Sequence, residues 1–283
     1  MQTIGILNHK GGVGKTTFTG CCGQALALAG FRVLLIDNDS QHNLTSMMQL
    51  APAGLTIRDI YRADTTRAPG VFLKSIIATE IDNLHIITAP ARLSETDLHD
   101  TTILRSAIEK TQLERFYDFV LIDNAPGLDM LQSAAIRAAD QLFVPTELKQ
   151  FAVNGLTEMD RIISQTYPEG PRITKIIPNF FRNIKRHHTY LHALHRLFPD
   201  RLTDTAIPWD GVFDEIITEG KILFLHRLYS KGAAFYLKLI HELFDMEEDT
   251  VWDRVSEKRS LRLSHEARER FYAQSRPAQD DAS

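Results

Sequence analysis

Two lysines bracket one glycine-rich turn near the start of the chain. Residues 10–17 read Lys10-Gly11-Gly12-Val13-Gly14-Lys15-Thr16-Thr17 and follow the short apolar run Ile4-Gly5-Ile6-Leu7. Glycines at 11, 12 and 14 let backbone N–H groups turn inward without side-chain obstruction, and a helix starting at Lys15 points its positive dipole end at the same place. That is the composition of a phosphate-binding loop. In it Lys15 holds β- and γ-phosphates and the Thr16 hydroxyl ligates Mg²⁺. His9 stands where the usual pattern has its first glycine. Lys10, at the loop entry, is surplus to this chemistry, and a second cation there suggests a site completed by another copy of the chain.

Phosphate chemistry also needs carboxylates, one to hold hydrated Mg²⁺ and another group to orient the attacking water. Asp37 and Asp39 follow the apolar run Val33-Leu34-Leu35-Ile36, and Asp123 follows Val120-Leu121-Ile122. In open α/β sheets, ligands bind at the C-terminal ends of such strands. Asp123 suits the metal role, and Asp37 is placed near the metal shell or Lys10. The plain alternative is that strand-terminal aspartates cap the turns that follow them.

The elements that must position these groups alternate along the chain. Strands are expected over 4–7, 32–36, 84–88, 119–122, 141–144, 173–177 and 205–207. Helices are expected over 15–29, 94–113, 155–165, 190–198 and 233–244. Gly30 ends the first helix, and Ser94 opens the second with an acidic first turn. Continuous apolar strands between helices predict an α/β fold: a phosphate-loop domain over 1–245, its sheet mostly parallel with helices on both faces. Residues 246–283 are highly charged and form a C-terminal extension, with a solvent-exposed helix expected over 255–271 and disorder from Pro277.

Bulk properties narrow the partners. The chain has 283 residues, 43% apolar and 24% charged, with net charge -4. Nothing global demands nucleic acid or membrane, so such a partner needs a local patch. Its two cysteines, Cys21 and Cys22, are adjacent. They suit small core positions in a reducing cytoplasm better than a disulfide or an iron–sulfur cluster. No run of about 18 apolar residues is present. In the tail, Trp252, Val255, Leu261, Leu263 and Phe271 make no continuous apolar stripe, so no membrane partner is expected.

The chain resembles the ParA/MinD class of deviant phosphate-loop ATPases, on the ParA side. The likeness is carried by Asn8-His9-Lys10-Gly11-Gly12-Val13-Gly14-Lys15-Thr16-Thr17, by residues 33–41 and by Val120-Leu121-Ile122-Asp123-Asn124-Ala125-Pro126-Gly127. It returns at Ile176-Ile177-Pro178-Asn179, Ile207-Pro208, residues 215–221 and Ser230-Lys231-Gly232-Ala233. Ser40 stands where family members usually have Pro. The resemblance implies an ATPase with ATP and Mg²⁺ as cofactors that dimerises on ATP; its intrinsic hydrolysis is expected to be slow, because no arginine near the loop in the sequence offers a cis finger. Lys10 then reaches the partner's nucleotide, Asp39 orients water, Asn179 lies near adenine and Pro208 packs on the base.

The resemblance further implies non-specific DNA binding, which rests on phosphate neutralisation by Lys and Arg. Arg182, Lys185, Arg186 and Arg196 are the best candidates, with no acidic residue between 182 and 199. Lys221, Arg227 and Lys231 would extend the patch. Trp209, Asp210, Phe213 and Asp214 stand where the family often has arginines, and two aspartates there would repel phosphates. Exposed Trp209 and Phe213 would suit a protein partner. His188, His192 and His195 share a helical spacing that permits a metal site, though no neighbouring Cys or carboxylate supports one. The leading expectation is a partition ATPase that segregates a plasmid, chromosome or integrated element and is reset by a centromere-binding or other hydrolysis-stimulating partner. The alternative is an ATP-switched positioning or regulatory protein acting through protein contacts.

Overall fold

The period-two alternation of apolar side chains in the strands builds the core. In the computed structural model, which describes residues 1–52, 54–246, 251–262 and 264, each central strand feeds both faces of one sheet. Val33 and Leu35 join one apolar cluster while Leu34 and Ile36 join another. Phe119 and Leu121 separate from Val120 and Ile122 in the same way.

The strands are β1 (Gln2–Ile6), β2 (Val33–Asn38), β3 (Ile76–Ala78), β4 (Leu84–Ile87), β5 (Phe119–Asn124), β6 (Gln141–Glu147) and β7 (Ile173–Asn179). They form one sheet of order β3-β4-β2-β5-β1-β6-β7. All pairings are parallel except β3 with β4. The helices are α1 (Lys15–Leu28), α2 (Asn43–Met47), α3 (Ile57–Arg62), α4 (Ala68–Ser75), α5 (Ile103–Lys110), α6 (Met130–Ala138), α7 (Gln150–Thr166), α8 (Lys185–Leu197), α9 (Val212–Glu219), α10 (Leu223–His226) and α11 (Lys231–Phe244). Helices α1 and α11 cover one face, α3 to α6 the other, and α7 and α8 close the β6–β7 end.

Several elements depart from the expected bounds for identifiable reasons. The helix expected over 94–113 is two pieces. Ser94 accepts from the Thr96 amide to cap a single 3₁₀ turn, Glu95–Asp97, and α5 starts only at Ile103. Asp97 holds that turn to α3 through Arg62, and Asp100 accepts from the Thr102 amide just before α5. Residues 205–207 form no strand, because the Thr205 amide turns to the Glu242 carboxylate; Leu202 and Pro208 make isolated bridges to Ile176 and Phe181. Strand β6 runs past Pro145 to Glu147, with the Pro145 carbonyl taken by Asn8 Nδ2 at 2.9 Å. Helices α7 and α8 each begin five residues earlier than expected.

The C-terminal extension is only partly solvated. Residues 251–262 are helical. Val251 and Val255 are buried in the cluster that holds α1 and α11, and Arg254 donates to the Ala29 carbonyl at the end of α1 at 3.0 Å, where a cation complements the helix dipole. The expected exposed helix therefore docks along one side. Its residues beyond 264, and the disorder expected from Pro277, lie outside the described residues. Among the described residues no helix is long and apolar enough to cross a membrane.

Candidate phosphate-binding site

Strand β1 lies between β5 and β6, so the loop that leaves it opens at the C-terminal edge of the sheet beside Asp37 and Asp123, register partners on β2 and β5. Gly12 and Gly14 adopt φ of 72° and 88°, where a Cβ is disfavoured, and Gly14 caps α1. No side chain caps α1 and its first turn holds no acidic residue, so its N–H groups stay available to an anion. Lys15 is buried and folds back on the loop, its ammonium donating to the Lys10 carbonyl at 3.0 Å and more weakly to the Asn8 carbonyl at 3.3 Å. Burial lowers its pKa, opposed by Asp123 and Asp39.

A cleft of about 480 Å³ opens at this loop. Its lining combines Gly12, Gly14, Lys15, Thr16, Thr17 and Asp39 with the apolar side chains Phe180, Phe213, Ile217 and Tyr236. A cleft that joins a phosphate cradle to an aromatic lining suits a nucleotide. Asn179 lines the cleft; its Nδ2 donates to the Val13 carbonyl at 2.9 Å and fixes the loop. Pro208 is buried at the bridge to Phe181 and is not among the residues lining the cleft. Phe180 supplies an apolar wall instead. It sits at φ 56°, an unusual place for an aromatic residue, held by its amide on Asn179 Oδ1.

The carboxylates divide their roles. Asp123 is fully buried and accepts from the Thr16 hydroxyl at 2.7 Å and the Thr19 hydroxyl at 3.1 Å. Asp37 is also fully buried, but Thr45 takes one of its oxygens twice and the Asp39 amide meets the other. It thereby ties the turn after β2 to α2, and no contact joins it to Lys10. Asp39 accepts from the Gln41 amide and faces the cleft.

The Thr16 hydroxyl and Asp123 form a hard oxygen set that fits Mg²⁺ arriving with a nucleotide, since Mg²⁺ keeps several waters and shares ligands with phosphate. Among the described residues no group of three His, Cys, Asp or Glu could hold a metal alone, which removes the histidine site allowed at 188, 192 and 195.

Two adjacent buried carboxylates make the nucleotide-free protein sensitive to pH. Burial and the neighbouring Asp37 raise the Asp123 carboxyl to about 8, and burial raises Asp37 to about 6. Groups raised above an ordinary aspartate favour the protonated fold. The contribution of these two groups to stability is fully present below about pH 4 and is lost as pH rises through 6 to 8. The nucleotide-free protein is expected to melt roughly 5 °C lower at pH 8.5 than at pH 5, and Asp123→Asn to flatten that decline. A wild-type melting temperature that rises across this window contradicts the assignment.

Sequence reasoning missed a buried amide network that braces these ends. Asn38 Nδ2 donates to Asn124 Oδ1 and to the Leu131 carbonyl, Asn124 Nδ2 to the Ile6 carbonyl, and the Tyr61 hydroxyl to Asn38 Oδ1. An Asp-Asn pair ending each of two apolar strands was the available signal. Glu147 was missed as well. It takes the Lys10 ammonium at 2.8 Å and the Lys149 ammonium at 2.6 Å.

The basic candidates Arg182, Lys185, Arg186 and Arg196 are exposed at and along α8. Arg182 lies over the exposed Trp209 ring at 4.6 Å. Lys221 and Arg227 do not extend this patch, because both pair with Glu215. Phe213 is buried against Tyr236 and offers no partner surface. Asp210 accepts from the Val212 and Gly232 amides, and Asp214 lines the cleft, so the two aspartates form no shared acidic face.

A mostly parallel sheet with a lysine-bearing phosphate loop at its C-terminal edge, a Thr–Asp oxygen pair that fits Mg²⁺ and an aromatic-lined cleft define a phosphate-loop nucleotide-binding protein. A family model described as an AAA domain (AAA_31) matches residues 1–173. The chain is 33% identical over 259 residues to the chromosome partitioning protein ParA of Caulobacter vibrioides, covering 88% of this chain and 96% of that one. It is 30% identical over 256 residues to the sporulation initiation inhibitor protein Soj of Bacillus subtilis, covering 86% and 98%. In fold it is similar to MinD of Pyrococcus horikoshii complexed with Mg-ADP (TM-score 0.70, 24% identity, 86% and 96% covered). It is also similar to the ATP complex of an McdA variant from Cyanothece (TM-score 0.73, 22% identity, 87% and 97% covered). The chain belongs to the ParA/MinD-type family of phosphate-loop ATPases.

Proposed function

We propose that this chain is a partition ATPase that closes into a homodimer on ATP, grips DNA without sequence preference, and is reset when a centromere-binding or other partner stimulates hydrolysis. The observation that carries the reading is the division of labour between the two lysines. Lys15 alone fills its own loop, while the Lys10 ammonium points out to Glu147 at the end of β6. A cation next to the loop but unused by it suits a second chain's phosphates, where charge develops during transfer. Gly11 to Thr17 hold the phosphates, Asn179 and the aromatic wall hold the base, Thr16 and Asp123 hold Mg²⁺, and Asp39 orients the water. The setting is the cytoplasm, on the nucleoid when DNA is held. The names of the relatives, a chromosome partitioning protein and Soj, support the same reading.

DNA binding rests on Arg182, Lys185, Arg186 and Arg196, which are exposed, with no acidic side chain bonded to any of them among the described residues. Duplex DNA of arbitrary sequence is expected to bind in ATP and not in ADP. Changing Arg182, Lys185 and Arg186 together to alanine is expected to weaken it about 30-fold and to reduce the salt slope by roughly three charges. Absence of ATP-dependent binding at low salt turns the reading to its alternative, a positioning switch acting through protein contacts. The exposed Trp209 is the observation that favours that alternative.

A further inference from the structure

Lys10 is restrained within its own chain. Its side chain is only 32% exposed and that of Glu147 only 16%. Glu147 ends β6, opposite Asn179 of β7, and so belongs to the same sheet edge as the cleft. The carboxylate binds two cations at once, Lys10 through Oε1 and Lys149 through Oε2. Burial pushes this carboxyl up, yet the hydrogen bonds from Lys10 and Lys149 hold it below the usual range. Lys149 immediately precedes α7 and is 68% exposed.

We infer that Glu147 is a latch that holds Lys10 in the resting single chain, and that Lys149 is the reserve counterion that lets it release Lys10 when a second chain arrives. The inference rests on the proposed trans role of Lys10 and adds the residues that regulate it. A carboxylate left buried without a counterion is costly. With Lys149 in place, Glu147 keeps one cation after Lys10 departs, so opening the latch costs only part of a half-buried ion pair. Without Lys149, all compensation comes from Lys10, and departure becomes harder. Glu147 is thus a positioning residue: it sets how readily Lys10 is presented and touches no phosphate itself.

The two arms predict opposite effects. Glu147→Gln removes the charge and frees Lys10. The ATP concentration for half-maximal dimerisation, followed by light scattering during size-exclusion chromatography with a non-hydrolysable ATP analogue, is expected to fall about fivefold. Lys149→Ala is expected to raise it by about the same factor. In the Lys10→Ala background Glu147→Gln has nothing to release and is expected to change nothing. That lack of effect separates a latch from a merely structural carboxylate. A Glu147→Gln protein that dimerises like wild type, or less readily, while Lys10→Ala is defective overturns the latch and leaves the trans-lysine reading standing. A wild type that stays monomeric at saturating analogue overturns both.

Discussion

Replacing Lys10 with alanine is expected to lower partner-stimulated ATP turnover by about 10³-fold while leaving ATP binding by the single chain within about threefold of wild type. The split follows from geometry. Lys10 contributes its carbonyl to Lys15, and alanine retains that carbonyl, so the loop itself should keep its shape. Only the ammonium is lost, and in the single chain it meets Glu147 rather than the cleft. A cation that arrives late at transferring phosphate acts on the transition state and not on ground-state affinity. Fluorescent-nucleotide binding and stimulated phosphate release, measured on the same preparation, separate the two. Stimulated turnover unchanged in the variant would sink the trans-lysine mechanism.

Asp39→Asn is expected to stop the chemistry by a factor of roughly 10²–10³ while ATP still drives dimerisation. Asparagine preserves the shape and an oxygen that accepts the Gln41 amide, so the turn after β2 is kept. What disappears is the negative charge facing the cleft, and with it the charge that the proposed role uses to orient the attacking water and favour its ionisation. The protein should then accumulate as an ATP-bound dimer that outlasts the wild-type dimer after free ATP is removed. Nucleotide content by chromatography and dimer lifetime by dilution check this. A variant that hydrolyses ATP at the wild-type rate, or that fails to bind it, removes Asp39 from the water-orienting role.

These two experiments probe residues of different legibility. Lys15, Thr16, the loop glycines and Asp123 were readable because phosphate chemistry demands those types at that spacing after a buried strand, and the structure brings them together at one edge. Alternating apolar strands and helices likewise gave the parallel sheet. Asp37 was harder. One of its oxygens goes to Thr45, a neighbour eight residues away that composition does not mark, and the other to the Asp39 amide. The helix expected over 94–113 failed because Ser94 caps only a single 3₁₀ turn and Asp100 turns the chain by accepting from the Thr102 amide before α5 begins. The patch around Arg182 was readable as charge, but its limits were not, since Arg227 pairs with Glu215 and Lys221 with Glu219 and Glu215.

By itself, the sequence determined the chemistry available to this protein: a phosphate loop with a second lysine, three strand-end aspartates and an α/β order that carries them to one edge. Those features are local, and local sterics and hydrogen bonding fix them. Tertiary structure decided what each charge faces. Glu147, 137 residues from Lys10, sets the lysine's resting direction. Asp210 spends its carboxylate on the Val212 and Gly232 amides, Phe213 turns into the core, and Val255 binds the C-terminal extension to the body of the fold. Such partners are distant along the chain and are selected by packing, because a buried charge takes the counterion that the fold brings within reach.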